Sequence, residues 1–171
     1  DVQVGVFLAN HMFMSLLERR GVWADGSLGL SLGEYNHLVH IGALDFGTAL
    51  TTVETRGDAY DAGPPGAMAS VFPIDLDELE RVVERVQHLG VLEVVNLNSP
   101  QQHVLSGDRV ALDAAMKILD DECFVPAVII EEHVPMHCSS FAPAGERLRE
   151  HLNGVQFRTP LLPYLPNRLA R

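Results

Sequence analysis

A serine lies between two glycines in the segment GLSLGEY, residues 29–35. Gly29 and Gly33 each stand two positions from Ser31, which fits the pattern G-x-S-x-G that holds a nucleophilic serine on a sharp turn before a helix. The amide of Leu32, at the start of that helix, would help bind an oxyanion. The preceding residues, ADGSLGL, have little β-branched content, so the usual strand before the turn is only weakly indicated. A serine in a loop of small residues is the competing interpretation.

Composition narrows the classes of protein and partner. The 171 residues suit one domain, and 47% of them are hydrophobic, which is enough for a core. A net charge of −11 argues against a nucleic acid or an anionic membrane as partner. No apolar run is long enough to span a bilayer, and the N-terminal residues do not form a signal peptide. Cys123 and Cys138 fit two free thiols in the cytoplasm.

The elements around the serine are expected to be helices. Apolar residues at helical spacing predict a first helix over residues 4–20, ended by Gly21. A second helix is expected after Ser31 and ends near Gly42, and a third covers residues 45–56 with Asp45 as N-cap and Gly57 as stop. The apolar positions of the first helix are Val6, Phe7, Met12, Met14, Leu16 and Leu17.

The middle of the chain changes character. Short β-branched runs and two amphipathic helices alternate over residues 66–134 in the order β-α-β-β-α-β, which is the ferredoxin-like pattern. A helix is then expected over residues 139–152. The C-terminal residues 157–171 contain several prolines and predict extended strand and turns.

Five segments occur together in the order and spacing of one known family. They read GLSLGEYNHLVHIGALDF, VETRG, GAMASV, NLNSPQQHVLSG and VPMHCSSFAPAGERL. On these segments the chain resembles the malonyl-CoA:acyl-carrier-protein transacylases and the acyltransferases of polyketide synthases. The resemblance implies an α/β class fold with an α/β-hydrolase-like acyltransferase core over residues 1–65 and 135–171. A ferredoxin-like subdomain, residues 66–134, is inserted in that core.

The resemblance also implies roles for individual residues. Ser31 matches the serine that becomes acylated, and His137, in VPMHCSSFAP, matches its catalytic base. Arg56 matches the arginine that binds the free carboxylate of malonyl groups, because its planar fork fits a carboxylate and stays charged. Asn98 and Gln102 match a polar turn that we interpret as structural. Without the resemblance, His137 would be read as a surface histidine and Arg56 as a partner of the helix dipole.

Three positions depart from the usual family pattern and bear on the acyl group. The family usually has His where Leu30 stands, Met where Tyr60 stands, and Ser or Phe where Met136 stands. We expect Leu30 and Met136 to contact substrate beside Leu32, and the accepted acyl group stays open. The family's oxyanion-hole glutamine and the segment that orients its histidine fall outside the chain, so a piece of a longer acyltransferase is expected.

The expected activity is transfer of malonyl from coenzyme A to the phosphopantetheine thiol of an acyl carrier protein, through an acyl-serine, in polyketide biosynthesis. The coenzyme A thioester and the phosphopantetheine thiol are substrates, and we expect no bound cofactor and no metal. An editing acyl-carrier-protein hydrolase is the alternative, and an idle docking module is a third possibility. Because carrier proteins are acidic, a basic patch is expected on the enzyme. Its candidates are Arg147, Arg149, Arg158 and Arg168.

Overall fold

The structure is a computed structural model and describes residues 2–167 of the chain. Helices and strands are mixed along the sequence, which gives an α/β fold. In chain order the elements are α1 (Val2–Arg19), α2 (Gly33–His40), α3 (Phe46–Asp61), β1 (Ala67–Val71), α4 (Leu76–Val86), β2 (Leu92–Ser99), β3 (Gln102–Gly107), α5 (Arg109–Ile118), β4 (Ala127–Glu131) and α6 (Ala142–Leu152).

The chain divides into two compact units. We call the first the elbow unit, which comprises Asp1–Ala59 and Arg147–Arg171, and the second the sheet unit, which comprises Tyr60–Glu146. Ser31 and Arg56 belong to the elbow unit, and His137 belongs to the sheet unit.

The sheet unit is built on four strands in the order β2-β3-β1-β4. Each neighbouring pair is antiparallel. The helices bury one stripe each, because their apolar residues recur at intervals of three and four positions. Those residues are Leu79, Val82, Val83 and Val86 on α4 and Ala111, Leu112 and Ala115 on α5. They pack with alternate residues of the strands into one core, as the sequence pattern predicts.

The elbow unit has a smaller core. Phe7, Leu44, Ala49 and Val53 form its buried cluster. The first predicted helix is confirmed as α1, yet only Phe7 of its residues is buried. Other apolar residues of the predicted face are exposed, and Met12 keeps 70% of its surface accessible. Periodicity therefore located the helix but did not tell which of its residues the unit buries.

Of the two predicted boundaries of α3, one agrees with the structure and the other does not. Asp45 caps α3 as predicted, since its Oδ1 accepts from the amide of Thr48 at 2.9 Å. The predicted stop at Gly57 is wrong, because α3 continues to Asp61. Glycine in a helix interior costs only about 1 kcal/mol relative to alanine, and Gly57 is buried in its helix. Tertiary packing outweighs such a small local preference.

The described part of the C-terminal segment forms no strand, contrary to expectation. Residues 158–167, which we call the strap, instead donate hydrogen bonds to residues that directly follow α2. The amide of Arg158 donates to the carbonyl of Ala43 at 2.9 Å, and that of Leu161 donates to Ile41 at 2.8 Å. Arg168, one of the candidate basic residues, lies outside the described residues.

Over residues 2–167, no helix combines the length and apolar character needed to cross a membrane. In the same range, His, Cys, Asp and Glu side chains form no group of three or more able to hold a metal ion.

Candidate active site

The segment Gly29–Gly33 forms a tight turn, which we call the elbow. Ser31 has a φ of 51°, in the left-handed region that residues other than glycine rarely adopt. The amide of Gly33 donates to the carbonyl of Leu30 at 2.9 Å, and the amide of Glu34 donates to that of Ser31 at 3.1 Å. Such a backbone costs about 1–3 kcal/mol and persists where its surroundings impose it, often at functional sites.

The two glycines of the motif have different roles in the elbow. A Cβ on Gly29 would lie 2.0 Å from the carbonyl oxygen of Gly33 and 2.6 Å from the amide nitrogen of Glu34. A Cβ on Gly33 would meet nothing within 4 Å. Only the first glycine is therefore required by the close approach of the backbone on either side of Ser31.

This difference predicts opposite effects of two matched substitutions. We expect Gly29→Ala to lower the free energy of unfolding by about 1–3 kcal/mol or more, because backbone atoms must move to admit the methyl group. Gly33→Ala lies at the first residue of α2 and is expected to be neutral or stabilising by up to about 1 kcal/mol. Urea denaturation of both variants measures the difference. Equal destabilisation by the two variants would contradict the elbow geometry.

Arg56 lies against the serine within the elbow unit. Its side chain is buried, with 4% of the residue accessible. Its Nη2 donates to Oγ of Ser31 at 2.8 Å, and its Nη1 donates to Oε1 of Gln3 on α1. The guanidinium carbon also lies 6.0 Å from the centre of the Tyr35 ring, within the range of a cation–π contact. The structure therefore brings together two of the residues that the sequence singled out, Ser31 and Arg56.

Gln3 and Asn167 contact this pair and were not predicted. Oδ1 of Asn167 accepts from the amide of Ser31 at 2.5 Å, and its Nδ2 donates to the carbonyl of Gly29. Its own amide donates to Oε1 of Glu34 at 3.3 Å. Gln3 and Asn167 are isolated polar residues near the two ends of the chain, and no motif in the sequence marks either of them.

The face of α2 under the strap carries a directional chain of hydrogen bonds. The amide of Leu165 donates to Nε2 of His37 at 3.3 Å, so a neutral His37 carries its proton on Nδ1. That nitrogen lies 2.6 Å from Oγ of Ser27, which lies 2.8 Å from Nδ1 of His40. Burial lowers the pKa of His37 from its usual value, partly offset by the Glu34 carboxylate. The neutral ring that the strap requires is therefore favoured.

Tyr164 ties the strap to the first turn of α2. Its ring stacks on His37 with centres 5.6 Å apart, and its hydroxyl donates to Oε1 of Glu34 at 2.5 Å. Burial, together with the hydrogen bond to Glu34, raises the pKa of Tyr164 to about 12. The hydroxyl therefore keeps its proton, and with it the contact to Glu34, at neutral pH.

His137 is exposed on a turn of the sheet unit and has a φ of 70°. Two hydrogen bonds made by the residues that follow His137 hold this turn in place. Oε2 of Glu93 accepts from the amide of Ser139 at 2.9 Å, and Sγ of Cys138 donates to the carbonyl of Pro135 at 3.0 Å. Pro135 also packs so closely on Gly66 that a Cβ there would lie 2.6 Å from the ring.

The predicted substrate-binding positions lie in both units. In the elbow unit, Leu30 is exposed, whereas the side chain of Leu32 is partly buried against the small core. The backbone of Leu32 has helical angles and directly precedes α2. In the sheet unit, Met136 is partly buried next to His137, and Tyr60 contacts Phe141 edge-on with ring centres 4.7 Å apart.

The candidate basic residues divide between a helix and the strap. Arg147 and Arg149 lie on α6. Arg158, in the strap, lies 3.7 Å from the Asp45 carboxylate. A basic docking patch made of these residues stays a prediction.

Curated proteins resemble the chain over almost its whole length. It is 33% identical over 171 residues to the malonyl CoA-acyl carrier protein transacylase of Bacillus subtilis (strain 168), an alignment that covers 98% of this chain and 54% of the relative. The chain is similar to malonyl CoA-acyl carrier protein transacylases. The resemblance inferred from the five motifs is thus confirmed. No family model matches the chain.

Solved transacylases have the same fold over the matched region. The acyl-carrier-protein S-malonyltransferase from Burkholderia pseudomallei 1710b superposes with a TM-score of 0.89 at 33% identity, covering 96% of this chain and 55% of that one. A malonyl-transacylase in complex with its type II polyketide synthase acyl-carrier protein has a TM-score of 0.89 at 29% identity, covering 97% and 55%. The chain therefore spans about half the length of the transacylases that it matches.

Proposed function

We propose that this chain carries the acyl-accepting half of a malonyl-CoA:acyl-carrier-protein transacylase. Ser31 accepts a malonyl group from coenzyme A and passes it to the phosphopantetheine thiol of an acyl carrier protein. The observation that carries the proposal is the contact between Nη2 of Arg56 and Oγ of Ser31 at 2.8 Å. It puts a permanent positive charge beside the oxygen that would be acylated.

That geometry favours an acyl group with a second carboxylate. In a malonyl ester of Ser31, the free carboxylate lies one methylene beyond the ester carbonyl, so it stays within reach of a guanidinium that touches Oγ. Arginine binds a carboxylate through two parallel N–H···O bonds, which also fix the orientation of the acyl chain. An acetyl ester offers no such group. The buried position of Arg56 strengthens the interaction because nearby water is excluded.

The two half-reactions balance through one base, which we assign to His137. Oγ of Ser31 attacks the thioester carbonyl while the imidazole takes its proton, and the same proton leaves on the thiol of coenzyme A. The thiol of the carrier protein then attacks the ester, gives its proton to the imidazole, and the proton returns to Oγ. The support for His137 is the match of its segment to the family, together with an exposed ring on a firmly held turn.

The remaining proposed contacts concern the oxyanion and the acyl pocket. The amide of Leu32, at the positive end of α2, is our candidate donor to the oxyanion. Leu30 and Met136 are our candidates for contact with the acyl group. Leu30 stands where the family usually has His, and Met136 stands where it often has Ser or Phe, so both positions bear on which acyl group is accepted.

The finer architecture is also part of the proposal. We propose that residues 1–65 and 135–171 belong to an α/β-hydrolase-like core and that residues 66–134 form an inserted ferredoxin-like subdomain. The sheet order β2-β3-β1-β4 with antiparallel neighbours supports the second assignment, because two interleaved β-α-β units produce that order. The left-handed backbone of Ser31, two residues before α2, supports the first assignment. A cytoplasmic location, suggested by the two free thiols, stays a prediction.

An editing hydrolase of the same pathway remains the second candidate, favoured only by the unusual residues Leu30, Tyr60 and Met136. The products distinguish the two activities. Incubating the full-length protein with malonyl-CoA and a phosphopantetheinylated carrier protein is expected to yield malonyl-carrier protein as the main product. Free malonate in excess over malonyl-carrier protein would support the hydrolase. Neither product, with no acyl adduct, would support an idle docking module. Polyketide biosynthesis is the proposed pathway, and one structural relative, a malonyl-transacylase in complex with its type II polyketide synthase acyl-carrier protein, supports it.

A further inference from the structure

Asn167 closes the elbow from outside it, across 136 residues of sequence. Its side-chain amide bonds to the backbone on both sides of Leu30: Oδ1 accepts from the amide of Ser31 at 2.5 Å, and Nδ2 donates to the carbonyl of Gly29. One planar group therefore fixes the distance between the first glycine and the serine of the motif.

The chemistry of these two partners requires a carboxamide. A backbone amide can only donate and a backbone carbonyl can only accept, so a single orientation of the Asn167 side chain satisfies both. An ionised aspartate offers acceptors alone and would repel the carbonyl oxygen of Gly29. An isosteric leucine offers neither kind of group.

The strap is held on α2 independently of this side chain. The amides of Arg158 and Leu161 donate to carbonyls of residues that directly follow α2, and the amide of Leu165 donates to His37. The hydroxyl of Tyr164 donates to Glu34. Because these bonds anchor the strap along the helix, a substitution at Asn167 removes the clasp on the elbow and leaves the strap attached.

The elbow needs such a clasp because Ser31 is in a strained conformation. A non-glycine residue with a φ of 51° keeps that backbone only if its neighbours determine it. Rotation of the Ser31 backbone would turn Oγ away from Arg56, which it contacts at 2.8 Å. Small displacements of a reacting group cost up to about 100-fold in rate.

We propose that Asn167 is a positioning residue for acylation, which holds the Ser31 backbone so that Oγ faces the incoming acyl group. The proposal rests on the proposed function of Ser31. It gives the C-terminal strap a part in the reaction, although no atom of the strap is assigned to contact the substrate.

The test compares Asn167→Leu and Asn167→Asp with the control Tyr164→Phe, which loses one strap contact but none to the elbow. Each variant of the full-length protein is mixed rapidly with malonyl-CoA at concentrations from below KM to saturation, and acylation of Ser31 is followed by mass spectrometry. We expect Asn167→Leu to lower the acylation rate constant about 10- to 100-fold, while KM changes by less than about threefold because Arg56 is untouched. Tyr164→Phe is expected to acylate within about twofold of the wild type, because its lost hydrogen bond lies outside the elbow.

Asn167→Asp gives a signature that a general loss of stability would not produce. A protonated carboxyl group has one donor and one acceptor and imitates the amide, whereas the carboxylate does not. The rate of Asn167→Asp relative to the wild type is therefore expected to rise as the pH is lowered from 8 to 5. A relative rate that does not change with pH, or an Asn167→Leu rate equal to that of Tyr164→Phe, would overturn the proposal. Absence of acylation in the wild type would instead reject the function of Ser31.

Discussion

Replacing Arg56 with alanine is expected to abolish the preference for malonyl over acetyl donors. The guanidinium contacts Oγ of Ser31 and is buried, so the carboxylate of a malonyl ester would be desolvated without a partner in the variant. Losing one partner of a buried charge pair costs about 2–5 kcal/mol, which corresponds to about 30- to 5,000-fold in kcat/KM for malonyl-CoA. Acetyl-CoA lacks the carboxylate and should change by less than about fivefold, because only one of the lost contacts, that to Oγ, involves the reacting serine.

Two further arginine variants sharpen this measurement. Arg56→Lys keeps the charge but not the planar fork, so an intermediate preference is expected. Arg85→Ala removes an exposed arginine that pairs with Glu122 through both of its terminal nitrogens in the sheet unit, and it should leave both donors unaffected. An equal loss of activity with malonyl-CoA and acetyl-CoA in Arg56→Ala would contradict carboxylate binding. It would mean that Arg56 acts on the hydroxyl of Ser31 alone.

The elbow was predictable because its constraints are local. Gly29, Ser31 and Gly33 lie within five residues. A sharp turn in so short a segment allows few residue types at these positions, so the motif can be recognised in the sequence. The sequence did not reveal that the two glycines are unequal. That difference depends on how closely the backbone of Gly33 approaches Gly29, which only the folded turn determines.

The contacts that complete the candidate site could not be predicted from local pattern. Arg56 is 25 residues from Ser31, Gln3 is 53 residues from Arg56, and Asn167 is 136 residues from Ser31. Arg56 was found only because its short motif resembles a known family. A lone glutamine or asparagine has no periodicity to mark it, and its partners become apparent only once the chain has folded.

The helices and strands of the sheet unit agree closely with those predicted from the sequence, because buried apolar residues recur at fixed intervals along a helix or a strand. Four apolar residues of α4 repeat at three- and four-residue intervals, and the strands are short and bounded by turns. The errors fell where a weak local signal competed with packing. Gly57 did not stop α3, and the proline-containing strap donated to α2 rather than to a strand. For Gly57, tertiary contacts outweighed a local preference of about 1 kcal/mol.

Identifying the acylated residue is the most direct test of the proposed role of Ser31. The full-length protein is incubated with malonyl-CoA without carrier protein, quenched in acid and digested, and the modified peptide is sequenced by mass spectrometry. We expect a malonyl ester on Ser31 alone, lost on adding the carrier-protein thiol and absent from Ser31→Ala. Ser27→Ala, at the nearby serine hydrogen-bonded to His37, is the matched control and should still be labelled. A malonyl group on any other residue, or undiminished labelling of Ser31→Ala, would contradict the proposed role of Ser31.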